Sequence, residues 1–266
     1  MKHFPVALDH CEKFDWESNY TGYSYEIFVS RPVQPPPEDG YPIIYVLDGL
    51  SYFQYAHNVI ALQSKNALKT QIVPALIVGI GHAEKDMKSR RFYDFTAPAE
   101  KYVYPERLQG RTLGVHGGGE NFHRFIEEEL KPYIESAYPV DQKRQTLFGH
   151  SLGGYFALWA MLTKPASFQA YLACSPSIWW NGSELTRYAS HYLQKELASK
   201  PPKLFLAAGE KEGFMVEDAI KMANTLGGDY ISCEWYIAPE ENHASVVPAI
   251  ISRAFRFAFS ENPAEG

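Results

Sequence analysis

Six short apolar runs recur along the chain, each bounded by turn residues: Ile43–Leu47, Pro74–Ile80, Thr146–Gly149, Ala170–Cys174, Lys203–Ala208 and Ile231–Ile237. Continuous apolar runs of this length read as strands buried on both faces. An earlier segment, Tyr23–Ser30, alternates in polarity and is rich in aromatic and β-branched residues, which predicts a half-exposed strand. Helical stretches fall at Ser51–Leu68, about Glu120–Tyr138, Ser151–Thr163, Val216–Leu226 and His243–Phe259, while Pro32–Gly40, with Pro35, Pro36 and Pro37 in a row, reads as a loop. Strands alternating with helices predict an α/β fold, a mostly parallel sheet covered on both faces. No period repeats and no linker divides the sequence, so one domain is expected over residues 1–266. The least regular stretch, His82–Gly119, predicts a long loop over the sheet, of the kind that is functional or mobile. Sites in such folds lie at the carboxyl ends of strands, so the residues just after each apolar run carry the functional information.

Composition narrows the classes. A chain of 266 residues, 45% apolar and 21% charged, can bury one sizeable core. A net charge of −6 without a basic stripe argues against nucleic-acid binding. Three distant cysteines with no C-x-x-C suggest neither a disulfide framework nor a zinc site. No early apolar stretch fits a signal peptide and no run approaches 18 apolar residues, so a cytoplasmic location without a membrane span is expected. No H-E-x-x-H or comparable ligand spacing is present, and no cofactor is expected. Aromatics, at 15%, exceed what a core needs, so some are expected to line a cleft.

The residues after the third apolar run, Gly149-His150-Ser151-Leu152-Gly153, match G-x-S-x-G between a strand and a helix. A serine on so sharp a turn has its hydroxyl lifted clear of the backbone, and the helix behind it points free N–H groups at developing negative charge. An N-cap serine in a Gly-rich turn is the alternative, weakened by the strand–turn–helix context. The matching base follows the last strand: His243, in Pro239-Glu240-Glu241-Asn242-His243-Ala244-Ser245. His82, His116 and His123 precede the serine, the wrong order for this fold, and His57 and His191 sit in helical stretches. The acid is expected after Lys203–Ala208, where Glu212 lies three residues beyond Gly209, with Glu210, Glu217 and Asp218 as competitors. An oxyanion hole would use the N–H of Leu152 and that of Asp48 or Gly49.

Two other clusters carry candidate chemistry. Gly117-Gly118-Gly119 lacks the Lys and Ser/Thr of a phosphate-binding loop and reads as a hinge. Lys88, Arg90 and Arg91 form a local basic group, either solvated or anion-binding.

Gly149-His150-Ser151-Leu152-Gly153-Gly154, Ser175-Pro176-Ser177-Ile178-Trp179-Trp180 and Glu241-Asn242-His243-Ala244-Ser245 resemble the Putative esterase family, and within it the siderophore esterases that open the trilactone of enterobactin, salmochelin or bacillibactin. Tyr45-Val46-Leu47-Asp48-Gly49, Arg90–Pro98 and Phe125–Ile134 resemble that group too. The resemblance implies an α/β-hydrolase fold and a serine esterase with Ser151 and His243 essential. It also implies a small-molecule ester substrate, a catecholate siderophore or its ferric complex, with Arg90 or Arg91 holding catecholates and Trp179 and Trp180 walling the cleft. The acid varies within the group. A general carboxylesterase or thioesterase, like the formylglutathione hydrolases, and a non-catalytic hydrolase-like binding protein are the other readings.

Overall fold

A computed structural model describes residues 3, 7–108, 114–194, 201–228 and 231–260. Its eight strands are β1 (Cys11–Glu17), β2 (Ser24–Ser30), β3 (Tyr41–Leu47), β4 (Leu76–Gly81), β5 (Val140–His150), β6 (Ala170–Cys174), β7 (Lys203–Gly209) and β8 (Cys233–Ala238). Its helices are α1 (Gly49–Gln63), α2 (Ala67–Thr70), α3 (Met87–Asp94), α4 (Gly119–Phe125), α5 (Lys131–Ala137), α6 (Leu152–Thr163), α7 (Trp180–Ser183), α8 (Leu185–Gln194), α9 (Phe214–Leu226) and α10 (Val246–Phe259). The strands form one sheet in the order β1-β2-β4-β3-β5-β6-β7-β8. Pairings β1–β2 and β2–β4 are antiparallel and the rest are parallel. This is the mostly parallel, doubly covered sheet of an α/β hydrolase.

Side-chain alternation along the central strands divides the core. Ile43, Tyr45 and Leu47 point to one face with Leu147, Tyr171 and Leu204, and pack under α4–α6, α8 and α9. Ile44 and Val46 point to the other, with Phe148, Leu172 and Phe205, against α1 and α10. Both sets are buried, which explains why these strands read as unbroken apolar runs rather than alternating ones. Helix α6 is buried from Leu152 through Leu162, so the turn that starts it is anchored in the middle of the molecule.

The structure departs from the sequence reading in several places. Strand β1 was not anticipated: Cys-Glu-Lys-Phe-Asp-Trp-Glu is a polar edge strand whose Phe14 and Trp16 pack against one core and Cys11 against the other. The expected loop His82–Gly119 contains α3, an eight-residue helix with few apolar residues; residues 109–113 of that stretch lie outside the described residues. Helix α7 was also missed, and α8, which carries His191, had been placed only as an unbounded helical stretch. The run over 119–137 is helical, but its middle, Ile126–Leu130, widens into a π turn just before Pro132. Proline has no N–H for the α-helical bond, and a widened turn is one way to absorb the loss.

Gly117-Gly118-Gly119 is packing, not a hinge. A Cβ on Gly118 would lie 2.4 Å from the Tyr93 ring, one on Gly117 2.3 Å from the Tyr102 hydroxyl, and one on Gly119 2.7 Å from the Thr96 carbonyl oxygen. All three N–H groups are already donated, to Thr96 Oγ1, Tyr93 O and Thr96 O.

Candidate active site

Strand β5 ends at His150, and Ser151 adopts φ 60, ψ −117 before α6 begins. Such a conformation is costly for a residue with a Cβ, typically about 1–3 kcal/mol, and persists only where the surroundings enforce it. Here they do. Ser151 N–H donates to Cys174 O at 3.0 Å, and Ser151 O accepts from Tyr155 N at 2.9 Å and Ser177 N at 3.0 Å. A Cβ on Gly149 would lie 2.1 Å from Gly153 O, and one on Gly154 2.9 Å from Cys174 O. Gly153 has room for a Cβ, its nearest neighbours being 3.5 Å away, so Gly149 and Gly154 make the close approach.

His243 lies in the turn between β8 and α10, three residues before the helix. Its Nε2 is 3.1 Å from Ser151 Oγ, and its Nδ1 is 2.6 Å from Glu212 Oε2. Glu212, at the end of a 3₁₀ turn after β7, has its side chain buried while that of His243 is 45% exposed. Burial pushes the Glu212 carboxyl up, but hydrogen bonds from His243, Ser175 Oγ and the Gly209 N–H outweigh it and hold the group below its ordinary value. Of the four candidate acids, Glu212 meets the imidazole. Glu210 instead accepts from Glu240 N at 2.9 Å.

His150 backs this arrangement. Its ring centroid is 4.5 Å from that of His243, and its Nδ1 is 2.9 Å from the Tyr52 hydroxyl. Burial, reinforced by the neighbouring His243 and Arg91, pushes it down to about 3, so it stands as a neutral imidazole beside His243.

Leu152 opens α6, where backbone N–H groups have no partner within the helix. Asp48 caps α1 in the left-handed region, φ 54, ψ 50, and Gly49 is its first residue. A Cβ on Gly49 would lie 3.0 Å from the backbone of Gly79 and Ile80. The Asp48 carboxylate is gripped by Arg91: Nε donates to Oδ1 at 2.5 Å and a second guanidinium nitrogen to Oδ2 at 2.9 Å. Burial alone would lower the Arg91 pKa, but the Asp48 charge more than compensates and raises it.

The side chains expected to hold substrate fare differently. Arg91 is committed to Asp48. Arg90 is committed to the buried Asp94, which also accepts from Tyr25 OH at 2.8 Å and lies 3.0 Å from His82 Nε2. Arg91 fastens α3 to the body, whereas Arg90 pairs with Asp94 four residues on in the same helix and reaches Tyr25 OH at 3.4 Å, so neither is a solvated loop side chain. Trp180 is fully buried among Phe92, Tyr102, Tyr104 and His116, so it does not wall a cleft. Trp179 is half-buried beside it. Sequence reasoning missed Ser175, whose Oγ donates to Glu212 Oε1 at 2.6 Å; its signal was its place directly after the apolar run of β6.

The arrangement, a hydroxyl lifted on a strained turn and in line with an imidazole and a buried carboxylate, is suited to nucleophilic acyl transfer. Comparison with known proteins agrees. The chain is 43% identical over 244 residues to the ferri-bacillibactin esterase BesA of Bacillus subtilis (strain 168), spanning 88% of this chain and 84% of that one. The BES protein from Bacillus cereus superposes with a TM-score of 0.88 at 37% identity, covering 97% of this chain and 99% of its own. The siderophore hydrolase EstA from Aspergillus nidulans gives 0.84 at 26% identity, covering 97% and 98%. The profile of the family described as Putative esterase matches residues 18–228. The chain belongs to that family and is a carboxylic ester hydrolase.

Proposed function

We propose that this protein hydrolyses the ester bonds of a catecholate siderophore trilactone through an acyl-enzyme on Ser151. The observation that carries the mechanism is the unbroken line from Glu212 Oε2 through His243 to Ser151 Oγ, with contacts of 2.6 and 3.1 Å. The substrate rests on the likeness, along most of both chains, to a ferri-bacillibactin esterase.

Ser151 Oγ attacks the ester carbonyl while His243 Nε2 takes its proton. Glu212 holds the imidazole with Nδ1–H toward Oε2 and stabilises the imidazolium as it forms. The developing oxyanion is met by the Leu152 N–H and by that of Asp48 or Gly49, at the junction of β3 and α1 where Arg91 grips the Asp48 carboxylate. The imidazolium then protonates the leaving alcohol. A water activated by the same His243 releases the acid, and the cycle can repeat on the opened ring. Iron enters only as cargo of the substrate.

Steady-state kcat/KM for an enterobactin-type trilactone, with and without ferric iron, against p-nitrophenyl butyrate tests the reading. A large preference for the trilactone is expected. A preference for the butyrate with the trilactone untouched would discard the substrate and leave the acyl-enzyme in place. Ser151→Ala is expected to lose several orders of magnitude in kcat on either substrate with the fold retained. Turnover preserved in that variant would remove the mechanism.

A further inference from the structure

The acid end of the triad has a partner of its own. The strands β5, β6, β7 and β8 are neighbours in the sheet, and each ends in one residue of a connected line. Ser151 follows β5, Ser175 follows β6, Glu212 follows β7 and His243 follows β8. We infer that Ser175 is a positioning residue of the catalytic machinery: by donating its hydroxyl to Glu212 Oε1, it fixes the carboxylate so that Oε2 faces His243. This deepens the proposed function and rests on Glu212 acting as the acid.

Several observations on the Ser175 side point the same way. Oε1 receives two donors, Ser175 Oγ and Gly209 N, each at 2.6 Å, while Oε2 is left to His243 Nδ1. The Gly209 bond is local to the 3₁₀ turn that carries Glu212. The Ser175 bond is not: it comes from 37 residues away, on the adjacent strand end. A glutamate has one more rotatable bond than an aspartate, so a carboxylate on this longer arm needs a second, non-local anchor to hold one orientation.

Ser175 is itself fixed. It is completely buried and sits at φ 43, a region that favours glycine over any residue with a Cβ. Its N–H donates to Ala207 O at 2.6 Å, and two residues on Ser177 N–H donates to Ser151 O. One turn therefore grips the backbone of the nucleophile and the side chain of the acid. A serine kept where the backbone favours glycine is explained by the bond its hydroxyl makes. The titratable groups facing Glu212 are His243, His150 from β5 and the Cys174 thiol from β6, the last two both held neutral by burial.

The test is a double-mutant cycle on the full-length protein with p-nitrophenyl butyrate, which keeps it independent of the siderophore. Ser175→Ala is expected to lower kcat about tenfold, the scale of one hydrogen bond to a charged group, with KM little changed. Without that donor the carboxylate holds its proton more tightly, so the acid limb of the kcat/KM profile should move to higher pH. In a Glu212→Gln background, Ser175→Ala should cause no further loss. Equal losses in both backgrounds with an unmoved pH profile would reduce Ser175 to a packing residue and overturn the inference. Ser175→Gly, which suits the backbone angle, repeats the cycle if the alanine variant folds poorly. Wild-type activity in Glu212→Gln alone would be a different failure, that of the acid assignment, and would take the inference with it.

Discussion

At the scale of single residues, the site is a set of conformations that would be unfavourable elsewhere. Ser151 at φ 60, Asp48 at φ 54 and Ser175 at φ 43 are all left-handed, and all lie at the carboxyl ends of parallel strands. Each is held by hydrogen bonds to a neighbouring strand or helix, which is what lets the strain persist. Gly149 is the most constrained point, because a methyl group there meets the Gly153 carbonyl at 2.1 Å, well inside any real contact. Gly149→Ala is therefore expected to force β5 and α6 apart and remove both activity and fluorophosphonate labelling of Ser151, with a lowered melting temperature. Normal labelling in a stable Gly149→Ala protein would show that the turn has slack the geometry does not suggest. Glu212→Gln keeps the shape of the acid but not its charge, and is expected to cost roughly 10³- to 10⁴-fold in kcat at neutral pH. That Ser151 and His243 would meet was legible in the sequence, because a local motif and a chain order predict it. Glu212 was one of four candidates, since an acidic turn after a strand has the same composition whichever carboxylate faces inward. The anchoring role of Ser175 was not legible, because it depends on which strands are neighbours.

At the scale of elements, legibility followed how each piece is held. The central strands and α6 are held by apolar burial, and their runs announce them. Helix α3 is fastened by one ion pair to a partner distant in sequence, Arg91 to Asp48, 43 residues away, and by Asp94 accepting from Tyr25 OH, and nothing in Met-Lys-Ser-Arg-Arg-Phe-Tyr-Asp signals either partner. The same clasp ties α3 to Asp48, next to the N–H groups proposed above to meet the oxyanion. Arg91→Ala would leave a buried carboxylate without its counter-charge, a change that typically costs about 3–5 kcal/mol. Asp48→Asn combined with Arg91→Leu removes both charges and keeps a residue tolerant of the left-handed region. Urea denaturation is expected to place the double variant above Arg91→Ala in stability, while both lose kcat because the loop is no longer gripped. A double variant as unstable as the single one would mean that α3 is held chiefly by its packing.

At the scale of the whole molecule, the fold buries groups whose neutral form is the folded one, and this gives stability a direction with pH. His150, beside His243, is pushed down to about 3 by burial, and His123, on α4 and 2.9 Å from Ser167 Oγ, is pushed down to about 4 by the same cause. In the unfolded chain both take up a proton near pH 6.5. The unfolded state therefore binds more protons than the folded one between that value and about pH 4. Stability is fully present above pH 6.5 and falls as the pH drops through this window, by up to about 1.4 kcal/mol per pH unit for each group. Glu212 adds to the loss further down: held below its ordinary value, it contributes stability above the unfolded carboxylate pKa that disappears as pH falls through its folded one. Glu127 and Glu184, both pushed up by burial, run the other way just above that range and offset part of it. Urea unfolding at half-unit steps from pH 7.5 to 4.5 should show the midpoint falling steadily below 6.5. His123→Asn, which lies far from the catalytic line, should flatten that slope while leaving kcat unchanged at pH 7.5. An unaltered slope in His123→Asn would mean that this imidazole titrates in the folded protein much as it does in water, and that its burial between α4 and α6 is less complete than the structure gives it.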